Sequence, residues 1–269
     1  MDYIASKNNE YPLIEFNSLT VMRGTRVVID NLSLKIKVGE HVAILGPNGS
    51  GKSTLIKTIT REQYPVAGDH NRSFKIMGKE VWNVFDLRGV LGIVHDDTVN
   101  SRAYAMSGRE MVLSGFFGSV GLFTNHEVTA AMQRKANEVL EFLEIRFLAD
   151  KYITEMSSGE YKRLVIARAL VHQPRALLLD EPTNSLDIHA FFIFHQMLRK
   201  IAQSGTSIIL VTHNLQDIIP EIERVIMIKE GKIFKDGPKK AVLTTAHISS
   251  LYNMSLEVSQ SRDCYTIHR

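Results

Sequence analysis

Apolar residues alternate with polar ones along Leu13 to Val21 and again along Leu32 to Val38. That two-residue period belongs to half-exposed antiparallel strands, so the chain opens on a small β layer. The next apolar run is of another kind. His41-Val42-Ala43-Ile44-Leu45 is short and nearly continuous, stops at a glycine and leads into a helix-like stretch from Ser53 to Thr60. This is the strand, loop, helix order of a parallel sheet. Ala176 to Leu179 and Ser207 to Val211 repeat the pattern, each followed by a polar loop and a helical stretch. Between Asp97 and Val171 strand signals give way to helical ones: Ser107 with Glu110 reads as a capping box, and His126 to Glu144 carries apolar residues at helical spacing. Glu230-Gly231-Lys232 lies between the apolar runs Val225 to Ile228 and Ile233-Phe234 and reads as a hairpin turn closing the core. The pattern predicts an α/β core with an antiparallel β layer and a helical insertion over about 97–171. Residues 1–12 read as a loose tail without the apolar stretch of a signal peptide, 13–237 as the main domain, and 238–269 as a short extension of helical pieces with no clear chemistry.

Composition narrows the function classes. With 269 residues and 44% hydrophobic content the chain can bury a substantial core. A net charge of +3 with the two signs interleaved supplies no basic patch, so nucleic acid is not expected as a partner. The single cysteine, Cys264, excludes an internal disulfide framework and fits a reducing compartment. No apolar run approaches the roughly 20 residues that span a bilayer, so work at a membrane would need another chain to cross it.

The chemistry is concentrated at strand ends. Gly46-Pro47-Asn48-Gly49-Ser50-Gly51-Lys52-Ser53-Thr54 fits G-x-x-x-x-G-K-[ST], directly after a strand and opening a helix. Its glycines let backbone N–H groups turn inward around phosphate oxygens, Lys52 neutralises charge on the β and γ phosphates of a nucleotide, and the Ser53 hydroxyl can ligate Mg²⁺. Leu177-Leu178-Leu179 ends in Asp180, a carboxylate suited to hold the water shell of Mg²⁺, and Glu181 is suited to orient and polarise an attacking water. A merely solvent-exposed acidic pair is the alternative. His213 follows an apolar strand through Thr212; it can donate a hydrogen bond to the γ-phosphate or simply cap the strand. Met156-Ser157-Ser158-Gly159-Glu160 starts a helix, with Ser157 as N-cap, Glu160 closing a capping box and Met156 stapled onto Tyr161. Two serines and a glycine also leave the positive end of that helix open to an anion, and sequence position alone does not choose. None of the ten histidines stands in an H-E-x-x-H or Cys/His spacing that would suggest zinc.

Together, the phosphate loop, the MSSGE helix start, the run Leu177 to Asp187 (LLLDEPTNSLD) and the strand-end His213 resemble the nucleotide-binding subunit of an ATP-binding cassette (ABC) transporter, over roughly Leu13 to Gly237. The resemblance implies a P-loop NTPase (RecA-like) α/β core with an antiparallel β subdomain and an inserted α-helical subdomain. It implies ATP and Mg²⁺ as ligands, and ATP hydrolysis with Glu181 and His213 as catalytic residues. It also implies that two cassettes pair head to tail, as a homodimer when the second is an identical copy. Ser157 and the Gly159 backbone of one copy then meet the γ-phosphate held by the phosphate loop of the other, and Asn184-Ser185-Leu186-Asp187 resembles the D-loop along that seam. Integral membrane permease subunits would dock on the helical insertion, where Gly115 to Phe123 reads either as an apolar, mobile surface loop or as buried core of the insertion. The implied place is cytoplasmic, on the inner face of the cell membrane. A separately encoded cassette favours an importer, with an external substrate-binding protein. A soluble ABC ATPase with a regulatory role is the alternative, whereas a small-molecule kinase needs neither signature helix nor D-loop.

Three departures from the family pattern bear on the site. The usual signature is Leu-Ser-Gly-Gly-Gln, and Met156, Ser158 and Glu160 differ; the Glu160 carboxylate would steady the helix while weakening its pull on an anion. Where the family carries a glutamine linking Mg²⁺ and water to the helical insertion, this chain has Asp96, either a charged metal ligand or a plain turn residue. Where an aromatic ring usually stacks on adenine, just before Gly24, it has Arg23, whose planar guanidinium can stack on a base; the alternative is that Phe16 or another nearby ring serves.

Overall fold

The computed structural model describes residues 11–66, 72–95, 106–119, 121–262 and 264–269. Along the chain run β1 (Ile14–Arg23), β2 (Arg26–Ile36), β3 (Val42–Leu45), α1 (Lys52–Ile59), β4 (Ser73–Ile76), α2 (Val84–Arg88), β5 (Leu91–Val94), α3 (Gly108–Ser114), α4 (Ala130–Phe142) and α5 (Ser158–Leu170). There follow β6 (Ala176–Asp180), α6 (Ile188–Gln203), β7 (Ser207–Thr212), β8 (Arg224–Lys229), β9 (Lys232–Pro238), α7 (Lys239–Val242), α8 (Thr245–Tyr252), β10 (Glu257–Ser261) and β11 (Cys264–His268). These elements fall into two compact units, residues 1–82 with 207–269, and residues 83–206.

In the first unit β1 pairs antiparallel with β2 on one side and β4 on the other. The alternation read in the sequence holds: Ile14, Phe16 and Val21 point into the core, and Phe16 lies with its ring centroid 4.6 Å from that of Phe74. The unbroken apolar runs behave differently. Every residue of β3 and of β7 is buried, and β3 lies between β7 and β8, parallel to both, while β9 returns antiparallel to β8 through the Glu230-Gly231 turn. Burial on both faces is what such runs require. The start of β7 is pinned by two bonds from the loop before β3: Gly39 N–H donates to Ser207 Oγ at 2.8 Å, and Ile208 N–H to His41 Nδ1 at 3.1 Å. Leu45 of β3 then pairs with Thr212 of β7, so Gly46 and His213 leave neighbouring parallel strands at the same edge.

The extension after Gly237 is more than helical pieces. β10 and β11 form an antiparallel hairpin with Glu257 opposite His268 and Ser261 opposite Cys264. Its strands are mostly exposed, with Tyr265 the deeply buried side chain, and the alternation that marks them in the sequence, Leu256-Glu257-Val258-Ser259 and Tyr265-Thr266-Ile267-His268, is only two periods long.

In the second unit β5 pairs parallel with β6, from Leu91 against Ala176 to Val94 against Leu179. Gly92 is bare for a reason: a Cβ there would lie 2.6 Å from Leu177 Cδ2 and 2.9 Å from the Ala169 carbonyl oxygen. The Ser107 capping box forms as read, whereas the following helix begins at Ala130 rather than His126, because Thr129 caps it by accepting from Met132 N–H. α5 buries Leu164, Ile166, Ala167 and Leu170 and packs on α3, α4 and α6. The helical stretch anticipated over 97–171 lies inside this unit, which also takes in β5, β6 and α6. Its first residues, 97–105, lie outside the described residues. The apolar segment from Gly115 onward continues α3 as a single 3-10 turn, Gly115–Phe117. Its carbonyls are held: His172 Nε2 bonds that of Gly115, Arg88 that of Gly118 and Arg168 that of Ser119. Phe117 stacks on His126 at 4.1 Å, while Phe123 is exposed.

Candidate functional site

The loop from Gly46 to Gly51 is wedged where only glycine fits. A Cβ on Gly46 would lie 2.4 Å from the Ile228 carbonyl oxygen, and one on Gly51 2.8 Å from Ile29 Cδ1. Gly49 and Gly51 have φ of +76° and +108°, in the left-handed region. The loop is tied to the β8–β9 turn by Gly231 N–H donating to the Ser50 carbonyl at 2.9 Å. α1 then begins at Lys52 with Gly51 in the cap position, no side-chain cap and no acidic residue in its first turn. A helix start of this kind leaves backbone N–H groups and the positive end of the dipole for an anion. Lys52 is 5% exposed and folds back over the loop, donating to the carbonyls of Gly46 at 2.7 Å and Pro47 at 3.2 Å. The Ser50 hydroxyl is buried without a hydrogen-bond partner in the protein, a polar group left for a ligand oxygen. The side chains of Ser53 and His213 are exposed.

In the second unit Asp180 is the last residue of β6, and His95, just past the neighbouring β5, sets its Nδ1 3.9 Å from Asp180 Oδ2. Glu181 follows with φ of +46°, an uncommon region for a side-chain-bearing residue, and this turns the chain sharply off the strand. The turn is locked by Asn184, whose backbone N–H donates to the Glu181 carbonyl at 3.3 Å and whose Nδ2 donates to Glu181 Oε2 at 3.1 Å. The two carboxylates that the sequence places side by side are therefore held by different partners.

The start of α5 is closed by its own side chains. Ser157 Oγ accepts from Glu160 N–H at 3.2 Å and Glu160 Oε2 accepts from Ser157 N–H at 2.8 Å, a complete capping box. Lys151 Nζ grips the same carboxylate, 3.1 Å from Oε1 and 2.9 Å from Oε2. Partial burial opposes charge on Glu160, but the Lys151 ammonium and the Ser157 amide and hydroxyl outweigh it, so its carboxyl titrates below the ordinary range. Lys151 was not legible in the sequence: it stands nine residues before Glu160, outside any helical spacing. The Ser157 cap engages an oxygen lone pair and leaves its O–H proton to donate, and the N–H groups of Ser158 and Gly159 have no partner within the helix. Gly159 carries a second constraint, because a Cβ there would lie 2.7 Å from Ala190 Cβ on α6. The helix is also fastened to residues 182–185: Ser158 Oγ donates to the Ser185 carbonyl at 3.3 Å, and Lys162 Nζ to that of Pro182 at 3.0 Å and to that of Asn184. Three side-chain bonds thus tie the start of α5 to residues 182–185.

Lys52, Ser53 and His213 belong to the first unit, and Asp180, Glu181, Ser157 and Gly159 to the second. Mg²⁺ takes oxygen ligands, keeps several waters and needs only one or two protein groups beside phosphate. The Ser53 hydroxyl and the part-exposed Asp180 carboxylate are donors of that kind, and among the described residues no group of three or more His, Cys, Asp or Glu forms a closed cage. Asp96 lies outside the described residues. Arg23 is exposed at the end of β1, opposite Arg26. Phe16 cannot stack on a base: alternation turns it inward, where it is fully buried against Phe74.

The family model for ABC transporters matches residues 29–184. The hemin import ATP-binding protein HmuV of Rhizobium meliloti (strain 1021) is 30% identical over 257 residues, covering 92% of this chain and 94% of that protein. The Nod factor export ATP-binding protein I of Burkholderia orbicola (strain AU 1054) is also 30% identical, over 231 residues, covering 86% of this chain and 72% of that protein. Among solved structures, the dimeric post-hydrolysis state of the ATP-binding cassette MJ0796, bound to ADP and Pi, is similar with a TM-score of 0.68 and 25% identity, covering 84% of this chain and 98% of that one.

Proposed function

The chain belongs to the ABC transporter family as an ATP-binding, ATP-hydrolysing subunit, and from that premise we propose that two identical copies drive import through integral membrane permease subunits, on the cytoplasmic face of the membrane. The observation that carries this reading is the uncapped start of α1, with Lys52 folded over its own loop carbonyls. ATP takes the place of those carbonyls as the partner of the ammonium, and the first-turn N–H groups close on its phosphates. Ser53 and Asp180 would be the residues to hold Mg²⁺, which would supply charge neutralisation at the phosphate oxygens. Glu181 accepts the proton of a water whose oxygen attacks the γ-phosphorus, ADP leaves in line, and His213 donates a hydrogen bond to a γ-phosphate oxygen. Ser157 O–H and the Ser158 and Gly159 N–H groups of the second copy complete the anion site across the dimer seam, so ATP joins the two cassettes and hydrolysis releases them.

Import is supported by likeness to the hemin import relative, which aligns over 92% of this chain. No helix among the described residues is long and apolar enough to cross a membrane; in this reading a permease crosses it, with a substrate-binding protein outside. The exposed Phe123, beside Phe117 on His126, belongs to the face where the permease docks. Purification of the tagged chain from detergent-solubilised membranes and from cytosol in parallel tests this. A multi-span membrane protein is expected to accompany it; recovery from cytosol alone would contradict the transport reading.

A further inference from the structure

The extension after Gly237 touches the loop that carries His213, and we infer that it is a brace for that histidine, with Tyr252 as the positioning residue. The inference rests on the proposed catalytic role of His213 and deepens it. His213 lies between β7 and a single 3-10 turn, Leu215–Asp217. The residues on either side of it are locked by one buried carboxylate. Asp217, 2% exposed, accepts from the Thr212 hydroxyl and, at 3.3 Å, from Asn214 Nδ2. Thr212 Oγ1 in turn accepts from Asn214 N–H at 2.9 Å. These bonds fix the flanks of the loop and hold the N–H side of the 213–214 peptide, whose other side is the His213 carbonyl. That peptide is held from the extension: the Tyr252 hydroxyl, at the end of α8, donates to the His213 carbonyl at 2.8 Å.

The brace is itself anchored. Ile248 and Leu251 of α8 are buried, and Lys229 at the end of β8 donates to the Ser250 carbonyl and, at 2.6 Å, to Asn253 Oδ1. β8 is paired directly with β3, the strand that launches the phosphate loop. Farther along, β11 packs on the Leu215–Asp217 turn with Tyr265 buried. The extension therefore reaches the His213 loop at its carbonyl and at its following turn, and ties both to the strand beside the phosphate loop. Rotation of the 213–214 peptide would swing the exposed imidazole, and a hydrogen bond to a transferring phosphoryl group tolerates little of that.

The test uses the full chain. Tyr252→Phe keeps the ring and removes that hydroxyl, so steady-state ATPase kinetics are expected to show kcat reduced about fivefold with KM for ATP unchanged. The His213 imidazole proton resonance, assigned by its loss in His213→Ala, is expected to move in Tyr252→Phe. Lys229→Met, which loosens the end of α8, is expected to give a smaller fall of the same type. If His213→Ala abolishes turnover while Tyr252→Phe leaves kcat or the His213 resonance unmoved, the brace is overturned and the proposed site stands. If His213→Ala keeps full turnover, the catalytic role of His213 fails and the inference falls with it.

Discussion

The two helix starts that carry the proposed chemistry, α1 and α5, are built in opposite ways. α1 begins on Gly51 with no side-chain cap and no acid in its first turn, and the neighbouring ammonium of Lys52 makes do with loop carbonyls. α5 begins on Ser157 with a complete capping box, and the acid that completes the box is held by Lys151. An uncapped start depends on a ligand to satisfy its N–H groups, whereas a self-capped start is stable without one. The first is suited to bind ATP within one subunit. The second is suited to remain ordered until a neighbour presents a phosphate. Lys151 also answers what Glu160 raises in the sequence: the carboxylate that would repel an anion has its charge matched by a direct ammonium partner.

Breaking the α1 side of this contrast should have the largest effect. Lys52→Ala removes the ammonium proposed to meet the phosphates, and ATP affinity, titrated with a fluorescent analogue, is expected to fall about 100-fold. Unchanged affinity would contradict the placement of the site. Next comes a variant that gives α1 what α5 has. Thr54 is the third residue of α1 as Glu160 is of α5, so Thr54→Glu is expected to weaken ATP about tenfold while leaving the nucleotide-free melting temperature equal or higher.

On the α5 side, Lys151→Met leaves the Glu160 carboxylate without its ammonium partner at the end proposed to meet a phosphate. In a hydrolysis-blocked Glu181→Gln background it is expected to weaken the ATP-dependent dimer about fivefold, measured by sedimentation, with Glu160→Gln restoring it. Failure of that rescue would mean that Lys151 acts through packing. The smallest effect is on stability. The Glu160 carboxyl is depressed in the folded chain, so its contribution is complete above the ordinary value of 4.5 and is lost as pH falls through the lower folded value. Wild type is expected to lose up to about 1 kcal/mol more than Glu160→Gln between about pH 5 and pH 3, by denaturant melts.

Local chemistry was legible in the sequence and distant partners were not. The continuous runs of β3 and β7, the phosphate loop and the two capping boxes involve residues within a few positions of one another, and each formed as read. The α4 start shifted by four residues because Thr129, rather than the earlier polar residues, supplies the cap. The alternation at the hairpin β10–β11 runs for only two periods on each strand, too short to stand out, and the contact of Tyr252 with His213 spans 39 positions. Phe16 looked available to a nucleotide base only until β4 brought Phe74 against it.

The most direct test mixes two defective proteins. Lys52→Ala keeps a working α5 start but loses its phosphate loop, and Ser157→Arg keeps the phosphate loop but loses the α5 contact. Each alone is expected to be inactive in ATP hydrolysis, because every paired site then lacks one half. Mixed, they form some dimers in which the phosphate loop of one copy meets the intact helix start of the other, and hydrolysis is expected to rise well above that of either alone. A mixture no more active than its parts, or full activity in Ser157→Arg by itself, would contradict a site shared between two copies.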